Sequence, residues 1–273
     1  MGKSKDYEVR NFSPTRRILS DYYMVAGEFH QVMGIVDVDV TDARKRIREI
    51  KENDNYYVST TAWVAKCIAK AVSEDKRFNS FRKGSRKLII FENIDMSVMI
   101  EIPKKDGSKV PYNHTIRNID AKSVKAITEE IQSVQQKKIE DQEQLTRDSS
   151  SKYTWLYMVI PAFFRRIIMK RLLQNPFYVQ KIMGTVGLSS FGESVKDLSA
   201  WAIPLRDKTL NIVIGGMTKK LVQTSTGVET HEFMHLTFSF DHNIVDGAPC
   251  ARFVGRVNEL MNHAYGLQDI SEK

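Results

Sequence analysis

The decapeptide Ser239-Phe-Asp-His-Asn-Ile-Val-Asp-Gly-Ala248 concentrates groups that can move protons. The 273-residue chain has six histidines, and His242 stands between two acids, Asp241 and Asp246. An imidazole has an ordinary pKa of about 6.5, so near neutrality it takes up a proton and returns it. The stretch follows a strand-like segment, Glu232 to Phe240, and precedes a helical pattern, Ala248 to Ala264. Its polar residues therefore fall in a short connection held at both ends. Asp246 with Gly247 also suits the start of that helix, where an aspartate caps exposed N–H groups. Residue types alone leave two readings of His242 open, a proton-transferring base and a loop histidine beside a cap. His30, His114, His231, His235 and His263 show no metal-ligand spacing. His231 and His235 would face the same side of a strand but lack a third ligand, so no metal site is expected.

The elements around this connection come in irregular order. Ile35, Val36, Val38 and Val40 are interrupted by Asp37 and Asp39, which predicts a strand. Thr41 and Asp42 offer a cap for a helix carrying Ile47 and Ile50. A longer helix starts near Ser59, with Val64, Ile68, Ala71 and Val72 on one stripe. Residues 88–102 hold two strand-like runs, LIIF and MSVMIEI, and 104–108 read as a turn. Ala121 to Lys138 is an amphipathic helix with Val124, Ile127, Ile131 and Val134 inward. Thr185 to Phe191, Thr209 to Met217 and Glu232 to Phe240 are β-rich, and a polar, glycine-containing turn separates the last two as in an antiparallel pair. Without regular βαβ alternation, the order predicts an α+β fold, helices packed on a mixed, mostly antiparallel sheet.

Composition narrows the classes. With 42% apolar and 10% aromatic residues the chain has material for a core, which excludes a disordered or fibrous protein. Cys67 and Cys250 are far apart and match no CxxC spacing, so a reducing compartment is expected and a disulfide framework is not. The charge of +8 favours anionic partners. Its basic residues are dispersed without interleaved aromatic platforms, so nucleic acid is not among them. No apolar run approaches the ~18 residues of a membrane span, and the N-terminus does not read as a secretory signal. A cytoplasmic protein is the expectation.

The chain reads as one domain, 1–273, with an insertion at 139–183. Residues 139–152 are a polar linker ending in a serine run. Beyond it Trp155, Leu156, Met158, Val159, Ile160, Phe163 and Phe164 precede a basic helix with Arg165, Arg166, Lys170 and Arg171. A helical pair packed on the core or between subunits is the favoured reading. A membrane-surface helix is an alternative.

SFDHNIVDGAPCARF resembles the signature of the catalytic domain of the 2-oxoacid dehydrogenase dihydrolipoamide acyltransferases. Those enzymes share a fold and a His-x-x-x-Asp-Gly motif with chloramphenicol acetyltransferase. Val38 to Thr41, the helix from Ser59 to Asp75 with Asn79 after it, Ile94 to Asn118, Gly184 to Gly192 and Leu210 to Met217 follow in the family's order. The resemblance covers most of residues 10–265 and is weak over 139–183. It implies a chloramphenicol acetyltransferase-like two-layer sandwich and coenzyme A-dependent acyl transfer between thiols, with coenzyme A as substrate and dihydrolipoamide or another acceptor, and it adds a wall for a longer acyl chain as a further reading of residues 153–183. His242 would be the general base, deprotonating the thiol of coenzyme A or dihydrolipoamide. Ser189, with Ser190 as fallback, would donate to the oxyanion; by residue type alone both read as turn chemistry before Gly192. Asp246, beside Gly247, would hold the loop through an ion pair with Arg16 or Arg17. Asn243 stands where the dehydrogenase enzymes often have arginine, a change that bears on substrate preference more than on chemistry.

The sequence lacks a lipoyl domain, so the acyl donor is expected from a separate lipoylated protein or as a free thioester, with no lipoyl group attached to this chain. The polar end GLQDISEK lacks the apolar tail of the large cores, which points to an isolated homotrimer with active sites between subunits. Lys104, Lys105 and Lys109 read as solvated turn residues, and no cation is assigned to the coenzyme A phosphates. The competing expectation is a non-catalytic trimeric scaffold or assembly subunit of a larger, membrane-associated complex.

Overall fold

The computed structural model describes residues 7, 14–26, 30–103, 109–136, 159–191, 198–205 and 207–270. In chain order the elements are α1 (Pro14–Ala26), β1 (Gln31–Asp39), α2 (Thr41–Asp54), α3 (Thr60–Glu74), β2 (Ser80–Lys83), β3 (Lys87–Ile90), β4 (Met96–Pro103), β5 (Lys109–Ile116) and α4 (Val124–Gln135). There follow α5 (Ala162–Leu173), α6 (Pro176–Met183), β6 (Val186–Ser190), β7 (Leu210–Thr224), β8 (Gly227–Asp241) and α7 (Gly247–Asn262). One sheet runs β1-β8-β7-β6-β4-β5; β2 and β3 form a separate hairpin. β6 is parallel to both β4 and β7, while the other three pairings in the sheet are antiparallel. The expected α+β class and mixed, mostly antiparallel sheet are both present.

Alternation of residue type decides which face is which. Met234, Leu236, Phe238 and Phe240 of β8 point to one side and are fully buried. They join Val38, Val98, Leu188 and Ile212 of neighbouring strands in a single core. α3, α4 and α7 cover it with their apolar stripes: Trp63, Val64, Ile68 and Val72 from α3, Ile127 and Ile131 from α4, Phe253 and Val257 from α7. Phe78 stacks within 4.2 Å of Phe253 and edge-on to Phe240, locking the corner beneath the histidine connection. Ser59 and Ser123 accept from the N–H groups of Ala62 and Ala126, the capping their residue types favour. Thr41 behaves otherwise. Val40 takes the cap position of α2, and the Thr41 hydroxyl donates to Asp39 at 2.6 Å.

Several elements depart from the sequence reading. The β7–β8 hairpin runs to Thr224 and Gly227, so its turn is only Ser225-Thr226. Its outer half carries Leu221 and Val228 in solvent with no core beneath, which removes the apolar alternation that betrays a strand. α1 was not anticipated because it buries only Asp21, Val25 and Ala26 among the residues whose burial is described. β2 and β5 are short or mixed in character and gave no pattern either. The turn at 104–108, the linker 139–152 and Trp155, Leu156 and Met158 lie outside the described residues. Downstream of these segments stands a helical pair, α5 and α6. α5 buries nothing and sits on α1 through Arg165 and Arg166, which both reach the buried carboxylate of Asp21. Phe163, Phe164, Ile167 and Ile168 remain exposed. Among the described residues no helix is long and apolar enough to cross a membrane.

One buried carboxylate ties the far half of the sheet together. Asp95, just before β4, accepts from Arg117 at 2.8 Å, from the Asn118 N–H at 3.1 Å and from Gln180 of α6 at 2.6 Å. Its carbonyl takes the Thr185 N–H at 2.6 Å. Gly184 makes this approach possible: its φ is +70°, and a Cβ there would lie 2.5 Å from that carbonyl.

Candidate active site

The connection after β8 is a tight turn organised by Asp241. Its carbonyl accepts from the N–H groups of Ile244 and Val245 at 3.0 and 3.1 Å. Its carboxylate, buried in the sheet, takes both the N–H and the side-chain amide of Asn243, at 3.0 and 2.8 Å. An aspartate bonding two residues ahead is a turn former by its own geometry. Val245 is anchored in the core. The His242 N–H donates to the carbonyl of His30 at 2.9 Å, which joins the turn to the chain entering β1. Every neighbour is thus pinned, while the His242 side chain is exposed. Its ring makes no hydrogen bond among the described residues.

Asp246 stands at the cap position of α7 with extended backbone, but its side chain takes no cap hydrogen bond. Its charge is felt by Arg77, which Asp75 holds first, and by Cys250 one turn into α7. Burial, then Asp246, push the Cys250 thiol up to about 11. Among the described residues no atom lies within 4 Å of a would-be Cβ on Gly247, and none of them demands glycine there. Arg16 and Arg17 are exposed on α1.

Ser189 lies on β6, half-buried, opposite Val213 of β7, which in turn faces Thr237 of β8. Val186 and Leu188 point into the core, so Ser189 belongs to the other face of the sheet. His242 is two strands across and five residues further along β8 than Thr237. At ~4.8 Å per strand and ~3.3 Å per residue the two positions are about 19 Å apart within one chain. A single chain does not bring them together.

That second face holds two pairs which sequence reasoning missed. His231 Nδ1 meets Asp39 at 2.5 Å, and His235 Nδ1 meets Asp37 at 2.5 Å. The signal was present in the alternation of Asp37-Val-Asp39 against His231 and His235, but it acquires meaning only from the β1–β8 register, which places Asp37 opposite His235. The hydrogen bond from Asp39 raises the pKa of His231 above its ordinary value. A raised folded-state pKa contributes stability that is complete below about pH 6.5 and fades as pH rises through the raised value. Wild type should therefore lose more stability than His231→Gln between about pH 6 and about pH 8, measured by urea midpoints. Equal losses would remove this pair from the stability of the sheet.

Among the described residues no cluster of three or more His, Cys, Asp or Glu could hold a metal ion. Lys109 pairs loosely with Glu101 at 3.8 Å, and Lys104 and Lys105 lie outside the described residues.

Layer order, mixed sheet and histidine turn define an acyltransferase fold of the chloramphenicol acetyltransferase type. The chain superimposes on a probable dihydrolipoamide acetyltransferase from Listeria monocytogenes with a TM-score of 0.69 at 19% identity, covering 96% of this chain and 97% of the other. Chloramphenicol acetyltransferase itself gives a TM-score of 0.50 at 14% identity over 93% and 98% of the two chains. The chain belongs to the family of 2-oxoacid dehydrogenases acyltransferase (catalytic domain), whose model matches residues 4–152 and 202–267. Both parts of the β1–β8 pair and the whole histidine connection fall inside the match; Ser189 does not. A curated relative is the lipoamide acyltransferase component of the branched-chain alpha-keto acid dehydrogenase complex of Bacillus subtilis, 23% identical over 98% of this chain. The acetyltransferase component of the pyruvate dehydrogenase complex of Acholeplasma laidlawii is 24% identical over 85%. The chain spans 54% of the first and 36% of the second.

Proposed function

We propose that this chain is a coenzyme A-dependent acyltransferase that moves an acyl group between thiols, with His242 as general base. The observation carrying this reading is the His242 side chain, exposed and without a hydrogen-bond partner among the described residues, presented from a turn that Asp241 fixes. A thiol of pKa about 8.5 is only ~3% ionised at pH 7, so a positioned base is what the reaction lacks in water. The imidazole takes the proton from the attacking thiol, and its sulfur forms a bond to the thioester carbonyl. The tetrahedral oxyanion accepts a hydrogen bond from Ser189. Collapse breaks the original C–S bond, and the departing thiolate recovers the proton from His242. The base is worth ~10²–10⁴-fold and the hydroxyl ~3 kcal/mol of barrier.

The ~19 Å between Ser189 and His242 within one chain supports a site shared by two copies, as in a homotrimer. The Azotobacter vinelandii dihydrolipoamide acetyltransferase, of the same fold, has been studied for catalytic roles of a serine, a histidine and an asparagine, the last two spaced four residues apart. His242 and Asp246 have that spacing. We assign Asp246 the role of fixing the histidine turn, with Arg16 or Arg17 as its ionic partner and Gly247 at the mouth of the helix. Coenzyme A and dihydrolipoamide, free or on a separate lipoylated protein, are the proposed substrates, and the cytoplasm the proposed compartment.

The test is transfer from acetyl-CoA and isobutyryl-CoA to dihydrolipoamide, followed across a sedimentation profile. Acyl-dihydrolipoamide should form, and activity should travel with a species of three chains. Turnover by monomers would overturn the shared site. Absence of turnover with both donors would overturn the enzyme in favour of a scaffold.

A further inference from the structure

Away from the His242 turn, three side chains from separate parts of the chain form a hydrogen-bonded series. Asp37 of β1 meets His235 Nδ1 at 2.5 Å, and His235 Nε2 meets the Ser199 hydroxyl at 3.0 Å. Lys220 holds the second Asp37 oxygen at 2.5 Å. Burial pushes the Asp37 carboxyl up, but the bonds from Lys220 and His235 outweigh it and keep it below its ordinary pKa. An ionised Asp37 accepts from Nδ1, and in the neutral ring this tautomer leaves the Nε2 lone pair to the Ser199 hydroxyl. The ring has no exposure to water, and Trp201 lies 4.0 Å from it, centroid to centroid. Ser199 is exposed.

The backbone is built to deliver that serine. Gly215 and Gly216 lie where the β7–β8 register slips between Ile214 and Met217. The slip turns Thr218 and Lys220 onto the same face as His235. It also seats residues 198–200 against the strand: the Gly216 N–H donates to the Ala200 carbonyl at 2.9 Å. A Cβ on Gly216 would lie 1.9 Å from the Leu198 carbonyl, and one on Gly215 2.3 Å from that of Ala200. Such irregularities re-aim groups beside active sites.

We propose that Ser199, His235 and Asp37 form a second reactive centre, a serine nucleophile with its base and orienting carboxylate, that cleaves small esters with apolar acyl groups. Nucleophile, base and third group in this order are the arrangement that activates a serine. Ser199 Oγ bonds to the carbonyl carbon while its proton passes to His235 Nε2. The C–O bond to the alcohol breaks and the leaving oxygen takes that proton. Water, deprotonated by the same nitrogen, then releases the acid and restores the serine. Thr218 Oγ1 lies 3.4 Å from Nε2, and its hydroxyl is assigned to the oxyanion. Exposed Leu198, Trp201 and Ile203 give the acyl group an apolar flank.

An alkyl fluorophosphonate should lose its fluoride to attack by the protein and leave the phosphonyl group on Ser199, located by peptide mass spectrometry. The protein should also hydrolyse p-nitrophenyl butyrate. Ser199→Ala should abolish both reactions, and His235→Gln should slow labelling at least ~100-fold. Gly216→Ala, which alters none of the three side chains, should slow it by displacing residues 198–200. Circular dichroism and melting would separate these losses from unfolding. Wild-type protein that acquires no adduct on Ser199 would overturn the proposal without recourse to any variant. So would a folded His235→Gln protein labelled at the wild-type rate.

Discussion

His242→Ala should lower acyl transfer to dihydrolipoamide by at least ~10³-fold, and the loss should fall on turnover. The fold should be untouched. The removed ring is exposed, and the bond that matters to the turn is made by the backbone N–H of residue 242 to His30, which alanine keeps. Stability should therefore change by no more than ~0.5 kcal/mol. The pH profile supplies the sharper test. A thiol of pKa about 8.5 goes from ~3% to ~90% ionised between pH 7 and pH 9.5, so the variant should recover by up to about thirty-fold as hydroxide does what the imidazole did. A deficit that stays constant over that range would show that His242 serves some purpose other than proton removal.

Asp95→Ala should destabilise the protein by about 3 kcal/mol. Three donors converge on this carboxylate: Arg117, the Asn118 N–H and Gln180. Deleting one partner of a buried pair costs about 3–5 kcal/mol because the other stays desolvated. Arg117 is 36% exposed and can rehydrate, which places the cost at the lower end. For a chain of this size the melting temperature should fall by roughly 6–12 °C. Asp95→Asn keeps an acceptor oxygen of the same shape and should lose less. Urea unfolding of the two variants would decide; unchanged midpoints in Asp95→Ala would mean that the carboxylate does not join α6 to the sheet.

Legibility followed sequence distance. The α3 and α4 helices could be read because their apolar stripes repeat within a dozen residues, and each starts at a serine whose hydroxyl caps it. The histidine turn was equally plain, since Asp241, His242 and Asp246 are neighbours in the chain. His235 was not. Its partners are Asp37 and Ser199, set beside it by strand register and by a two-glycine irregularity that no local pattern announces. Thr41 misled for a related reason: its hydroxyl prefers Asp39 and the Glu232 N–H, the latter from a strand almost two hundred residues away. Nor could spacing along the chain reveal that Ser189 and His242 are held far apart within one copy, because only the strand order fixes that separation.

Among the described residues β1 occupies the sheet edge and bonds to β8 alone. During synthesis its nine residues are the first strand of the sheet to emerge, and the strand that completes them is the last to appear. Between the two the growing polypeptide therefore holds an open hydrogen-bonding edge, which exposes it to mispairing. Such distant closure also slows folding. Asp37 and Asp39 lie on that strand; as charges on a waiting edge they would discourage another nascent molecule from docking there before the histidines arrive.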